Sequence, residues 1–159
     1  KDKATVDQLS QLLPNEEIRS LIGVVTEKAN SGVDIARMQT IIGGIPKDAQ
    51  CSGETDTKRF IVLTPVSTEQ SSTASYYRGL ITLAGIGSSA VNENGSPEAW
   101  FDTTKEITVS FMLPGGDQQD ISGTLPLYHS VITGGSEYRF SITAGRTSFV
   151  DASVMQCDL

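Results

Sequence analysis

Only one histidine stands in the 159 residues of this chain, and that scarcity removes whole classes of chemistry. Zinc sites built from several imidazoles, and the H-E-x-x-H pattern of metalloproteases, cannot be formed. The one imidazole is His129, in Leu127-Tyr128-His129-Ser130. It could serve a Ser-His-Asp triad only if the fold brought a hydroxyl and a carboxylate to it, and the G-x-S-x-G turn that often carries such a serine does not occur. The plain expectation for His129 is a partly exposed strand end. Basic residues are also few: 12 Lys and Arg stand against 19 Asp and Glu, a net charge of −7. Phosphate neutralisation and docking on anionic lipid both require a basic patch, so neither nucleic acid nor a membrane surface is an expected partner. No apolar run approaches the ~20 residues that span a bilayer, so no membrane insertion is expected.

Cysteine is nearly absent as well. Cys51 and Cys157 lack the C-x-x-C spacing of zinc and redox sites. They read either as one disulfide or as two buried thiols. A bond between them would close a loop of roughly 100 residues, worth about 4–5 kcal/mol in the chain-entropy account, and would tie the last strand to the start of the β region. A disulfide implies an oxidising compartment. The first residue is Lys1 and not Met, which fits removal of a leader or processing of a precursor. The expected location is therefore extracytoplasmic, secreted or at the cell surface.

What is present falls into two patterns. Residues 1–50 carry helix signals. Val6, Leu9, Leu12 and Leu13 fall at helical spacing behind a Thr5/Gln8 capping pair, and Pro14 then interrupts. Asn15 is a good N-cap, with Glu16 and Glu17 where the helix dipole favours negative charge. Ile18, Leu21, Ile22, Val25 and Ala29 form one apolar face that ends at Asn30-Ser31-Gly32. Asp34 can cap a further helix with Ile35, Met38, Ile41 and Ile42 on its inner side, stopped by Gly43-Gly44.

From Lys58 onward the apolar period changes to two, in β-branched and aromatic residues. The spacing predicts strands at 59–64, 76–84, 106–113, 120–128, 136–143 and 147–157. Ile107, Val109, Phe111 and Leu113 share one face of their strand. Tyr138, Phe140 and Ile142 alternate with Arg139, Ser141 and Thr143. Turn-forming clusters at 69–75, 92–97, 114–117 and 133–136 separate these runs. The expected class is α+β: a helical segment over 1–50, packed on an antiparallel β-sandwich over 51–159 of transthyretin-like or jelly-roll-like kind.

Candidate chemistry is thin. The carboxylate pairs Glu16-Glu17 and Glu98/Asp102 read as capping and solvation, not as the acid and base of glycoside hydrolysis. Asp117 and Asp120 bracket Gln118-Gln119 in an expected hairpin, without the alternating acids of a calcium loop. Gly85-Ile86-Gly87-Ser88-Ser89 follows a strand but opens no helix and is not followed by Lys-Ser/Thr, so it reads as a strand exit and not as a phosphate cradle. Asn94-Gly95-Ser96 has the form of a glycosylation acceptor, and Asn-Gly also makes a tight turn. No catalytic residue, cofactor or metal is expected. Tyr76, Tyr77, Trp100 and Phe101 could form a contact patch, since aromatic residues dominate interface energetics. The plainer reading makes them the lid of the sandwich core.

One stretch carries a family likeness. Leu125-Pro126-Leu127 followed by Thr133-Gly134-Gly135-Ser136-Glu137-Tyr138-Arg139-Phe140-Ser141-Ile142-Thr143 resembles the C-terminal strands of fimbrillin-like surface proteins of Bacteroidetes-type bacteria, and Phe60 to Pro65 resembles the opening strand of such domains. Met155-Gln156-Cys157 stands where that family closes on a tryptophan. The resemblance implies a transthyretin-like sandwich acting as a non-enzymatic pilus or anchor subunit whose partners are other protein subunits. Two further readings fit the same layout. One is the globular domain of a type IV pilin-like protein, and the other is a jelly-roll coat or decoration protein of a virus or phage; an adhesin or ligand-binding module is a further alternative.

Overall fold

The computed structural model describes residues 15–45, 47 and 50–159. The chain divides into two compact units, Lys1–Lys47 and Asp48–Leu159.

In the first unit, helix α1 (Glu16–Asn30) starts where the Asn15 side chain accepts the Ile18 N–H at 2.9 Å. That bond satisfies one of the orphan amides of the first turn, and Glu16 and Glu17 complement the positive end of the helix dipole. The helix stops at Ser31, whose N–H reaches back to the Glu27 carbonyl at 3.0 Å, and Gly32 follows at φ 100°. Helix α2 (Ile35–Gly43) is capped by Asp34, whose side chain accepts the Ala36 N–H at 3.2 Å. Both caps fall where the sequence places them. Neither helix contains a buried residue, and Leu21, Ile22, Ile41 and Ile42 are all exposed. The helix expected around Val6 to Leu13 lies outside the described residues.

The second unit is built of strands: β1 (Asp56–Leu63), β2 (Ala74–Tyr76), β3 (Ile81–Gly87), β4 (Ser89–Val91), β5 (Pro97–Phe101), β6 (Ile107–Met112), β7 (Gln118–Gly123), β8 (Leu127–Thr133), β9 (Ser136–Ala144) and β10 (Phe149–Asp158). The hydrogen-bonded order is β7-β6-β3-β1-β10-β9-β8, with β2 also on β3 and β4–β5 as a separate hairpin. Every pair is antiparallel except β1 with β3, which run parallel at Val62↔Gly85 and Leu63↔Ile86. β1 changes partner along its length, lying on β10 from Asp56 to Ile61 and on β3 at its end. This hand-over curls the sheet on itself so that inward side chains of its end strands, β7 and β8, meet while the two backbones stay unpaired. His129 Nε2 and Gln119 Oε1 meet across that seam at 2.8 Å. The unit is therefore largely antiparallel and close to a barrel, with a seam between β7 and β8.

Alternation decides the core. Phe60 and Val62 of β1, Ile81 and Leu83 of β3, and Ile107, Val109 and Phe111 of β6 point inward and are buried, as are Tyr138, Phe140 and Ile142 of β9 and Val150, Ala152 and Val154 of β10. Phe140 packs edge-on against Tyr76 at 5.4 Å and against Phe111 at 5.2 Å, an arrangement that aromatic quadrupoles favour. At the inward positions of β3 the sequence has Gly85 and Gly87. A Cβ on Gly87 would meet Ile107 Cγ2 at 3.0 Å and Val62 Cγ1 at 3.2 Å. Neighbouring side chains fill that space instead.

Two expected strands are in fact broken. The run 76–84 is split because Tyr77, Arg78 and Gly79 take left-handed φ of 52°, 58° and 85°, which turns the chain between β2 and β3. The run 120–128 is split at Leu125-Pro126, since proline has no N–H to give to a ladder, and the chain passes there from β7 to β8. The expected loop at 92–97 is the turn of the β4–β5 hairpin, where the Asn92 side chain accepts from the N–H groups of Asn94 and Ser96 at 2.9 and 3.0 Å.

Cys51 and Cys157 form a disulfide, S–S 2.00 Å, across an isolated bridge that prolongs the β1–β10 ladder. Ser52 N–H donates to the Gln156 carbonyl and Asp158 N–H to the Gln50 carbonyl, both at 2.8 Å. The bond spans 106 positions of sequence and staples the last strand to the entry of the β unit.

Candidate functional site

The site with most exposed recognition chemistry is the edge strand β8 and the outer sheet face beside it. Its geometry begins at the turn Gly134-Gly135, both at positive φ, 61° and 80°. Such a two-residue turn makes its flanking pair, Thr133 and Ser136, exchange both backbone hydrogen bonds. In an antiparallel ladder this bonding alternates, so Val131, His129 and Leu127 also bond to β9. The N–H and C=O groups of Ile132, Ser130 and Tyr128 point the other way, to the free side of β8. No backbone partner for those groups exists among the described residues.

The same alternation sets the side chains. Val131 is buried and His129 turns inward, while Tyr128 and Ile132 lie on the outer face, 71% and 59% exposed. Ser130 between them is exposed too. Across the sheet the Tyr128 row continues through Ser141 and Ser153 to Thr57, and the Ser130 row through Arg139 to Met155. Small hydroxyl residues flanked by an exposed ring and a guanidinium leave a shallow open trough of about 460 Å³. Thr57 and Ser153 share a hydroxyl hydrogen bond at 2.7 Å, and Arg139 leans on Glu137 at 3.3 Å. Strand β8 itself carries no charged residue: its sequence is LYHSVIT. Burial holds the His129 imidazole below its usual 6.5, which favours the neutral ring.

His129 is not joined to a hydroxyl or a carboxylate. Its Nε2 meets the Gln119 amide oxygen, and its ring lies 4.7 Å from that of Phe111. The four aromatic positions separate. Tyr76 and Phe101 are buried in the core. Tyr76 donates its hydroxyl proton to the Ala152 carbonyl at 2.7 Å, and burial, reinforced by Asp56, raises its pKa far above the ordinary phenol value. Tyr77 is half-buried against Tyr138, ring centroids 4.9 Å apart. Only Trp100 stays well exposed, at 39%. Tyr77 precedes β3 while Phe101 packs beside Gly87 at the far end of that strand, so Tyr77 and the Trp100-Phe101 pair stand at opposite ends of β3.

The carboxylates have local tasks. Asp102 accepts from the Thr104 N–H and hydroxyl at 2.9 and 2.6 Å, and these bonds hold its carboxyl below the usual range. Gln118 and Ser110 do the same for Asp120, with Gln118 at 2.9 Å. Glu98 lies on β5, and Glu16 and Glu17 face solvent in the first turn of α1. Asp117 accepts the Leu113 N–H through its backbone carbonyl at 2.8 Å. Among the described residues no three acids, histidines or cysteines gather in a way that could hold a metal ion, and none of the helices is long and apolar enough to cross a membrane. Gly85 and Gly87 are strand residues. Ser88 serves through its carbonyl, which accepts the Asp102 N–H at 2.8 Å.

Sequence reasoning missed Tyr128, Ser130 and Ile132. The signal was there: the Gly134-Gly135 turn, read backward, extends a strand to Leu127. Both phases of that strand contain apolar residues, which hides the exposed one. Comparison of the chain with protein-family models, with curated proteins and with solved structures finds no match.

Proposed function

We propose that this chain is a non-enzymatic assembly subunit of an extracytoplasmic, surface-exposed structure of pilus or fimbria kind, joined to neighbouring protein subunits by β-strand addition. The carrying observation is the free edge of β8: unpaired among the described residues, uncharged and without proline, with Tyr128 and Ile132 exposed beside it. Edge strands are ordinarily blunted by charge, proline or bulges, because an open ladder recruits another strand. Strand addition draws its affinity from main-chain hydrogen bonds, so such a subunit requires no catalytic or ligand motif. The disulfide supports an oxidising location. The curled sheets are consistent with a sandwich of transthyretin-like or jelly-roll-like kind. The test is size fractionation and negative-stain microscopy of the protein in its native source. Ordered particles far above the 17.0 kDa of one chain are expected, and a strictly monomeric species without any partner contradicts the reading.

The trough beside Tyr128 and Arg139 favours a second reading, a ligand-binding module or adhesin. An exposed ring next to hydroxyls and a guanidinium suits a polar ligand with one apolar face. A glycan and host-protein screen decides it: binding that disappears with both Tyr128→Ala and Arg139→Ala supports this reading, and an empty screen removes it.

A further inference from the structure

We infer that the partner of strand β8 is the β8 strand of a second copy of this chain, paired antiparallel about a two-fold axis at Ser130; the inference deepens the assembly reading above and rests on it. The register follows from the free edge. Tyr128, Ser130 and Ile132 are the residues whose N–H and C=O groups point outward from the sheet. An antiparallel neighbour must offer groups with the same two-residue repeat. With Ser130 opposite Ser130 of the second copy, Tyr128 falls opposite Ile132 and Ile132 opposite Tyr128, so every outward group of each strand meets its complement. The interface is isologous, and a two-fold axis satisfies it without residue left over.

The side chains agree with this register. On the outer face each exposed Tyr128 ring covers an exposed Ile132, an aromatic and β-branched cross-strand pair of the kind that stabilises sheets. At the axis two serines meet, small enough to let the backbones approach. On the inner face His129 falls opposite Val131, and desolvation at the seam already favours the uncharged imidazole. No charge on β8 is brought against its like. The nearest ions on β9, Arg139 and Glu137, are already joined within one copy.

The other edge of the sheet does not offer this. On β7 the outward-facing side chains are Gln118, Asp120 and Ser122, each opposite an outer-face residue of β6. Self-pairing about Asp120 would set two carboxylates face to face, and like charges directly opposite are destabilising. The same chain therefore has one edge that accepts its own copy and one that rejects it. With a net charge of −7 on each copy, association at the uncharged edge should strengthen as salt screens the general repulsion.

Sedimentation velocity of the full chain over a concentration series tests the inference, run beside Ser130→Lys, which sets two lysines at the axis, and beside Ser130→Cys and Ser122→Cys under mild oxidation. Far-UV circular dichroism and melting verify that each variant folds. Residue 130 is exposed and its N–H has no backbone partner among the described residues, so the fold should tolerate both changes there. The expected result is a dimer whose dissociation constant rises at least about tenfold in Ser130→Lys, about the effect of one lost 1.4 kcal/mol, with covalent dimer from Ser130→Cys and none from Ser122→Cys. Self-association that Ser130→Lys leaves unchanged, or cross-linking through Ser122→Cys instead, overturns pairing through β8 while the assembly reading stands. A chain that stays monomeric in isolation yet lies in large particles in its native source likewise overturns only the second-copy partner. A chain monomeric in both settings overturns both.

Discussion

Gly87 shows how much of this fold is decided by single positions. It occupies an inward site on β3 where Ile107, Val62 and Phe101 close in, and an added Cβ would lie 3.0 Å from Ile107 Cγ2. Ile107 would have to give by a few tenths of an ångström even for a single added carbon, and valine brings two more. Gly87→Val is therefore expected to cost about 1–3 kcal/mol through overpacking, despite the better strand propensity of valine. Urea denaturation of the two proteins measures it, and equal midpoints would show that the site has room. His129 gives a second residue-level expectation. Its imidazole is lowered from 6.5 by burial against Phe111, so the folded state binds its proton later than the unfolded chain does. The stability that the neutral ring contributes is present at pH values above 6.5 and is lost as pH falls through that value toward the folded pKa. Asp102 and Asp120, also lowered, act only in the carboxylate range well below. A melting temperature that drops between roughly pH 7.5 and pH 5.5 in the native sequence, and stays level in His129→Gln, is the expected result.

At the scale of elements, β10 holds the unit together. It lies between β1 and β9 in the sheet order and pairs with both, and the Cys51–Cys157 bond fixes its end. Closing 106 positions of chain restricts the unfolded state strongly. Reduction, or the Cys51→Ser/Cys157→Ser double replacement, is expected to remove about 2–5 kcal/mol without changing the strand order. Denaturation with and without reductant measures the loss. The caps of α1 and α2 were legible in the sequence because Asn15 and Asp34 act through their own neighbours. The strands over 106–113 and 136–143 were legible for a similar reason, since one phase is apolar and the other polar. The break between β7 and β8 was not, although Pro126 marks it, because apolar and polar residues alternate on either side of that proline and mask the passage from one edge of the sheet to the other. Nor was the inward phase of β8 readable. Leu127 and Val131 compete with Tyr128 and Ile132, and only pairing with Tyr138 and Phe140 of β9 decides which pair is buried.

For the whole molecule, the pattern after Lys58 announced a β-rich, largely antiparallel unit, and the cysteine spacing allowed the staple that is found. Closure toward a barrel was not legible, because it depends on β1 passing from β10 to β3 within one strand, a long-range choice that no local period records. The aromatic positions show the same limit: Tyr76 and Phe101 look identical in sequence to Tyr77 and Trp100, yet burial separates them. What the nearly closed sheet leaves over is a seam with two unlike edges, β7 with the carboxylate of Asp120 and β8 without a charge. The central claim is that the neutral edge is open in the single chain and filled on assembly. Residue-resolved amide hydrogen exchange tests it most directly. In dilute protein, the amides of Tyr128, Ser130 and Ile132 should exchange fast while those of His129 and Val131 are protected, and the fast set should become protected as concentration rises. Uniform protection along β8 in the dilute chain, or an edge that stays unprotected in the assembled state, would contradict the account.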